Sequence, residues 1–329
     1  FGFRRADVDF DFAEVMDRVH RVISRVAPHD SVERYTDLGV ECIRGEARIT
    51  SPYTVEVNGR TLTTRRIMVA TGARPFVPPI KGLDEVRYLT SDTLWDLRHL
   101  PERLVILGGG PIGCEMTQAF ARFGANVTQV EMAPRLLGRE DSEVAETVRE
   151  TFEAEGIRVL TGHRAEAVVV ENGEKTLICD GGGEKVRIGF DEILVAVGRA
   201  PNTRGFGLES VGVRIGGRGT PETNEYLQTT IPTIYCAGDV AGPYQFTHTA
   251  SHQAWFATVN ALFGGLKRFK VDYRVIPWTT FTDPEVARVG LNELQAGLVV
   301  PRAIRVALAR LVGPYRAERH VRSRGAARL

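Results

Sequence analysis

One stretch of the chain, residues 104–131, restricts its fold more than any other. An apolar run that starts at Leu104, long enough for one buried strand, leads into a turn at residues 108–113 that fits G-x-G-x-x-G. Apolar residues at helical spacing follow as far as Gly124, and a second apolar strand ends at Glu131. Strand, turn, helix and strand in this order predict a βαβ unit, in which parallel strands are connected by a packed helix.

Three glycines of the turn each have a distinct structural role. Gly108 permits the tight turn after the strand, Gly110 leaves the backbone open to a diphosphate, and Gly113 lets the helix pack close to the sheet. The free N–H groups and the positive end of the helix dipole then face the phosphates. The predicted dinucleotide-binding residues of the turn are Gly108, Gly110, Pro111, Ile112 and Gly113.

The acidic residue at the end of the second strand, Glu131, completes the pattern. A carboxylate at this place accepts hydrogen bonds from ribose hydroxyls and repels a 2′-phosphate. We therefore expect the cofactor to be NAD, with NADH favoured over NADPH. A glycine-rich surface turn is the alternative for a lone motif, but the two flanking strands and the helix favour the dinucleotide site.

Composition narrows the class of protein. The 329 residues are enough for two or more domains, and a formal net charge of +1 gives no global field that would attract nucleic acid. No apolar run reaches membrane-spanning length and no signal peptide is recognisable, so we expect a cytoplasmic chain without a membrane segment. The four cysteines lack metal or redox spacing and are predicted to be small buried apolar residues.

Periodicity predicts the remaining elements. Helices are expected at residues 10–27, where Pro28 ends the first one, at 142–155 with Val144, Val148 and Phe152 on its apolar face, and at 250–262. The helix after the glycine-rich turn is expected to bury Ile112, Met116, Phe120 and Phe123. Strands are expected between residues 40 and 70, at 157–160, 193–197 and 233–237, in an antiparallel meander at 165–190, and at 279–291.

Four motifs, MVATGARP, LGGGPIGCE, ILVAVGRAPNT and IYCAGDV, occur in this order along the chain. Their order strongly resembles that of the FAD- and NAD(P)-dependent pyridine nucleotide-disulfide oxidoreductases, in particular mercuric reductases and dihydrolipoamide dehydrogenases. The likeness extends over about residues 1–296 and implies an α/β fold with two Rossmann-like domains, the NAD domain being inserted into the FAD domain. A truncated α+β interface domain would follow.

The resemblance also implies domain bounds and site residues. The FAD domain would comprise residues 1–98 and 221–268, the NAD domain 99–220, and the interface domain 269–329, in a homodimeric protein. By resemblance Asp239 binds the ribityl chain of FAD, Thr247 and His248 lie at the pyrimidine end of the flavin, and a helix from Ala250 directs its N-terminus there. Thr71 and Gly72 would contact FAD, Gly198 the NAD site, and Glu115 would be catalytic near the nicotinamide. A turn or helix N-cap role for Asp239, and a packing role for His248 and His252, are the alternatives.

The sequence departs from the family pattern in three respects. It has no second G-x-G-x-x-G for the FAD diphosphate and no CxxxxC pair, and after Ala296 an Arg-rich tail with a helical pattern at 304–311 replaces the expected interface domain. A gene fragment with a tail read in another frame is one interpretation. We therefore expect this chain to bind NADH, to hold FAD poorly and to be unable to reduce a disulfide.

The function expected from the resemblance is transfer of hydride from NADH to FAD and, in intact relatives, onward to a redox disulfide and then to a disulfide or metal-ion substrate. A non-disulfide NADH dehydrogenase or oxidase is a second hypothesis. A catalytically inactive nucleotide-binding fragment is a third.

Overall fold

A computed structural model describes residues 9–292 and residue 295. Its α-helices are α1 (Phe12–Val26), α2 (Val32–Asp37), α3 (Pro111–Arg122), α4 (Ser142–Ala154) and α5 (Thr247–Phe263). The strands before α4 are β1 (Arg48–Ser51), β2 (Thr54–Val57), β3 (Arg60–Thr63), β4 (Ile67–Val69), β5 (Ala73–Pro75), β6 (Arg103–Leu107) and β7 (Asn126–Glu131). Those after it are β8 (Arg158–Thr161), β9 (Arg164–Glu171), β10 (Glu174–Asp180), β11 (Lys185–Phe190), β12 (Glu192–Val195), β13 (Arg199–Pro201), β14 (Ile234–Cys236), β15 (Pro277–Thr280) and β16 (Val286–Val289).

The predicted βαβ unit forms the centre of a four-stranded parallel sheet with the order β12-β6-β7-β8. Strand β6 is almost wholly buried because it lies between two neighbours and has a layer on each face. Helices α3 and α4 cover one face, where Phe120, Val148 and Phe152 join the core. The predicted meander, β9-β10-β11, covers the other face with Leu177 and Phe190. The α/β class is confirmed.

A second parallel pair brings together two distant parts of the sequence. Strand β4 precedes the four-stranded sheet in the chain and β14 follows it, yet Ile67 pairs with Ile234 and Val69 with Cys236. Strands β5 and β13, which pair antiparallel, form a second link between chain segments before and after the four-stranded sheet. This is the topology expected if one α/β unit is inserted into another, and the domain bounds given above remain predictions.

Several local predictions are wrong. Helix α5 begins at Thr247, three residues before the predicted start, with Phe246 as a cap residue whose side chain makes no capping bond. The first strand begins at Arg48 rather than near residue 40. Ile112 and Val144 are each 36% exposed, because they lie beside the apolar faces of α3 and α4 rather than on them.

Helix α1 has apolar residues at helical spacing along its whole length, but only its first part packs against the protein. The predicted helix is present, but it buries Phe12 and Met16 only, while Val22, Ile23 and Val26 are exposed. Pro28 lies inside a short 3₁₀ turn, Ala27–Asp30, that follows the helix. The strands predicted within 279–291 are present as the β15–β16 hairpin, and the predicted tail helix at 304–311 lies outside the described residues.

Candidate functional site

The glycine-rich turn follows β6 and is closed by contacts between backbone atoms. Gly108 has φ = 110°, and a Cβ there would lie 2.4 Å from the carbonyl oxygen of Ala196. A Cβ on Gly113 would lie 2.1 Å from the carbonyl oxygen of Gly108. Only glycine fits either position, as the sequence predicts, because a backbone carbonyl cannot rotate away as a flexible side chain does.

Gly110 differs from its neighbours, because a Cβ built there meets nothing within 4 Å. It is the N-cap of α3 and has no side-chain cap, and Pro111 occupies the first turn. The N–H groups of this turn therefore have no partner within the helix, and the positive end of its dipole faces open space in front of Gly110. This arrangement fits an anionic diphosphate, and the exposed Ile112 lies beside it.

Glu131, at the end of β7, has a role that the sequence pattern did not reveal. One carboxylate oxygen accepts a hydrogen bond from the backbone N–H of Gly109, and the other accepts one from Ala133 at 2.6 Å. The carboxylate thus ties the end of β7 to the glycine-rich turn and fixes its own orientation. Because a carboxylate has about four acceptor positions, both oxygens keep capacity for ribose hydroxyls.

Glu115 lies on α3, one turn from the start of the helix, and is half-buried. Its Oε1 accepts a hydrogen bond of 2.9 Å from the backbone N–H of Phe281, the residue after β15. Burial raises the pKa of Glu115 above its ordinary value, and the Phe281 bond opposes this in part. The β15–β16 hairpin therefore reaches α3, the helix that begins at the glycine-rich turn.

Gly198 is placed near the same edge of the four-stranded sheet. It follows β12 with φ = 131°, has no atom within 4 Å of a built Cβ, and accepts a hydrogen bond from Phe76 N–H. Since β6 and β12 are parallel neighbours, the turns after them lie side by side. Crevices in such sheets form at this carboxyl edge.

Thr71 and Gly72, predicted to contact FAD, are held by a residue 131 positions away. Asn202 donates to the carbonyl of Thr71 at 2.9 Å, and the Thr71 hydroxyl donates to the carbonyl of Asn202 at 2.6 Å. The Asn202 N–H also donates to Gly72 at 3.0 Å. Asn202 ends the VGRAPN motif but was not predicted as a site residue, since nothing in its local sequence shows which distant turn it joins.

Asp239 follows β14 in a turn and is paired with Arg199. The Arg199 Nε lies 3.3 Å from Asp239 Oδ2, and an Nη2 of the same guanidinium donates to the carbonyl of Ala73 at 2.6 Å. Asp239 is not the N-cap of α5, because Phe246 occupies the N-cap position of that helix. A carboxylate fixed in this way at the end of a parallel strand suits the hydroxyls of a ribityl chain.

Thr247 and His248 lie in the first turn of α5 and are both exposed. The His248 ring stacks on Phe246 with 5.3 Å between ring centroids. His252, one turn later, uses Nε2 in a 3.0 Å hydrogen bond with the carbonyl of Asp272, which agrees with a packing role. The chemistry of this group, with Asp239 and the start of α5, fits the ribityl and pyrimidine parts of a flavin.

Three of the four cysteines are enclosed by the structure. Cys114, Cys179 and Cys236 are buried as predicted, and burial raises their pKa values to about 12, 11 and 12. Cys42 is only partly buried, contrary to the prediction. Within the described residues, no group of three or more His, Cys, Asp or Glu side chains could hold a metal ion, and no helix is long and apolar enough to cross a bilayer.

Comparisons with known proteins identify the family of the chain. The family described as pyridine nucleotide-disulphide oxidoreductase matches residues 11–254. Mercuric reductase of Staphylococcus aureus is 38% identical over 287 residues, which are 87% of this chain and 52% of that protein. Dihydrolipoyl dehydrogenase of Thermus scotoductus is 36% identical over 266 residues, 78% of this chain and 55% of that protein.

A solved structure shows the same fold. The HOCl-induced flavoprotein disulfide reductase RclA from Escherichia coli has a TM-score of 0.78 and 29% sequence identity, covering 87% of this chain and 65% of that one. The α/β architecture and the resemblance inferred from the four motifs are thereby confirmed. The chain spans about half the length of the curated relatives it matches.

Proposed function

Because the chain belongs to the pyridine nucleotide-disulphide oxidoreductase family, we propose that it binds NAD(H) at the glycine-rich turn and takes part in hydride transfer to FAD. The observation that carries this proposal is the open space at Gly110, at the uncapped start of α3. Within the proposed site, Gly108 and Gly113 shape the turn and Glu131 binds the adenosine ribose.

We propose that NADH is preferred over NADPH. The support is electrostatic: a 2′-phosphate on the ribose would approach the Glu131 carboxylate, whose position is fixed by the N–H groups of Gly109 and Ala133. Like charges at such short range repel, and the fixed carboxylate cannot turn away without losing these hydrogen bonds.

On the flavin side, the proposed residues bind and orient rather than react. Asp239 accepts hydrogen bonds from the ribityl chain and is oriented by Arg199, while Thr71 and Gly72 present backbone groups held by Asn202. The positive end of α5 stabilises negative charge near Thr247 and His248. The bound flavin would supply the hydride acceptor for the nicotinamide, which lies near Glu115 and Gly198 in this proposal.

The final electron acceptor is proposed at the level of class: a disulfide, a thiol partner or a metal ion. These classes follow the relatives, which are named mercuric reductase and dihydrolipoyl dehydrogenase. A cytoplasmic homodimer is the proposed setting, and the four free cysteines agree with a reducing compartment. We also propose that these 329 residues retain flavin only weakly, since they contain one glycine-rich turn of the phosphate-binding type.

An NADH dehydrogenase or oxidase that does not use a disulfide is the second candidate. The observation that favours it is that no two of the four cysteines stand at CxxxxC spacing, and three of them are buried with raised pKa values. Turnover of NADH with oxygen or a quinone, but not with a disulfide, would distinguish this candidate.

Calorimetric titration of NADH into the chain and into Glu131→Ala tests the proposed site. Loss of a charge-assisted acceptor for ribose hydroxyls, together with the bond that holds the Gly109 N–H, should weaken binding by about 10- to 150-fold, since hydrogen bonds to charged groups contribute about 1.5–3 kcal/mol. Glu143→Ala removes an exposed carboxylate from the first turn of α4 and serves as the control. The proposal is wrong if the wild-type chain releases no heat with NADH, or if Glu131→Ala binds NADH as tightly as Glu143→Ala does.

A further inference from the structure

The segment between Glu131 and α4, residues 132–141, lies against the glycine-rich turn. The Leu137 N–H donates a 2.7 Å hydrogen bond to the carbonyl of Gly109, and Leu136 lies so close that a Cβ on Gly109 would be 2.7 Å from its Cδ2. Leu136 and Leu137 are buried, and Leu137 has φ = 44°. A bulky residue adopts this left-handed conformation only when its surroundings hold it there.

A buried polar cluster holds the far end of this segment. Glu140 is 7% exposed, and its Oε1 accepts a 2.8 Å hydrogen bond from the indole Nε1 of Trp278 on β15. The Arg288 guanidinium on β16 lies 3.7 Å from the other carboxylate oxygen and 4.8 Å from the centre of the Trp278 ring. Arg288 also donates to the carbonyl of Arg139 at 2.7 Å. We name Glu140, Trp278 and Arg288 the hairpin cluster.

The hairpin has an independent attachment to α3. Gln118 donates to the carbonyl of Asp283 at 2.9 Å and accepts from its N–H at 2.7 Å, while Arg122 pairs with the Asp283 carboxylate at 2.9 Å. A change in the hairpin cluster therefore leaves the hairpin docked on α3. What it releases is the segment 132–141, because a buried carboxylate that loses a partner is no longer stable in its place.

We propose that the hairpin cluster positions the dinucleotide site: it fixes residues 132–141 so that Leu137 holds the Gly109 carbonyl and the glycine-rich turn keeps its open form. Glu140, Trp278 and Arg288 are positioning residues, because they act through the segment and not by touching the nucleotide. This inference rests on the proposed function, since it assigns control of the same site to the β15–β16 hairpin.

The test is the dissociation constant of Trp278→Phe for NADH and for ADP-ribose, measured by calorimetry well below the unfolding temperature. Phenylalanine keeps a ring beneath Arg288 but removes the donor to Glu140. Both ligands contain the diphosphate, so both should bind about 3- to 10-fold more weakly than they bind the wild type. This is the effect expected when the loss of one hydrogen bond disturbs the glycine-rich turn. Trp255→Phe, at an exposed indole on α5, is the matched control and should bind both ligands as the wild type does.

Glu140→Gln gives a second reading, since the amide oxygen still accepts from Trp278 while the charge opposite Arg288 is lost. A smaller loss of affinity than in Trp278→Phe is expected if the hydrogen bond is what positions the segment. If Trp278→Phe does not fold, Arg288→Lys takes its place in the test. Arg288→Lys should also bind NADH and ADP-ribose more weakly than the wild type does. A lower unfolding temperature with unchanged affinity would show that the cluster is merely structural and would overturn the inference. If the wild-type chain binds neither ligand, the proposed function fails first.

Discussion

Gly110→Ala separates ligand binding from folding more sharply than any other substitution in the turn. The residue has φ = −79° and ψ = −179°, a conformation open to alanine, and the added methyl group would meet no protein atom within 4 Å. Alanine is a poorer N-cap than glycine, at a cost of about 1 kcal/mol, but it stabilises the folded protein by about 0.4–1 kcal/mol because it restricts the unfolded chain. These effects nearly cancel, so the free energy of unfolding should change by less than about 1 kcal/mol.

The methyl group would stand in the space through which a diphosphate approaches the backbone. Forcing a methyl group into a filled site costs about 1–3 kcal/mol, which corresponds to about a 5- to 150-fold weaker affinity for NADH. Calorimetry measures the affinity for NADH, and thermal unfolding of the same protein sample measures its stability. Gly110→Ala should therefore unfold as the wild type does and bind NADH poorly.

Gly113→Ala is the matched control for folding. Its added Cβ would lie 2.1 Å from the carbonyl oxygen of Gly108 and 3.0 Å from the carbonyl carbon, so the helix start or the turn must move, at a cost of about 1–3 kcal/mol or more. This variant should lose thermal stability, which Gly110→Ala should not. If Gly110→Ala binds NADH with wild-type affinity, the diphosphate does not approach at Gly110 and the assignment of the site is wrong.

Two further predictions concern titratable groups. Burial raises the pKa of Glu115, so the folded chain retains a proton that the unfolded chain has lost, and stability falls as the pH rises between the two pKa values. Glu115→Gln keeps an oxygen for the Phe281 N–H and should raise the unfolding temperature above that pH interval but not below it. A difference in unfolding temperature between Glu115→Gln and the wild type that stays constant with pH would contradict this prediction. A thiol reagent should modify Cys42 in the folded chain well before the other cysteines, which are buried. Labelling of all four cysteines at the same rate would contradict the burial of the other three.

The sequence predicted the elements whose signal is local. The strand before Gly108, the turn and the helix after it are encoded within one short segment, and the structure places all three as expected. The early start of α5 was missed because Phe246 is not a recognised cap residue. The exposure of Ile112 was missed because apolar spacing alone did not show which face of α3 meets the sheet.

The order of the four motifs and the glycines between the strands were thus enough to identify the family and to predict where a dinucleotide would bind. Only the tertiary structure decided which groups hold the site in shape. Glu131 meets the N–H of Gly109, Asn202 meets Thr71, and Trp278 meets Glu140 across long separations in the chain. Hydrogen bonds of this kind depend on where folding brings two distant segments, and no periodicity within either segment contains that information.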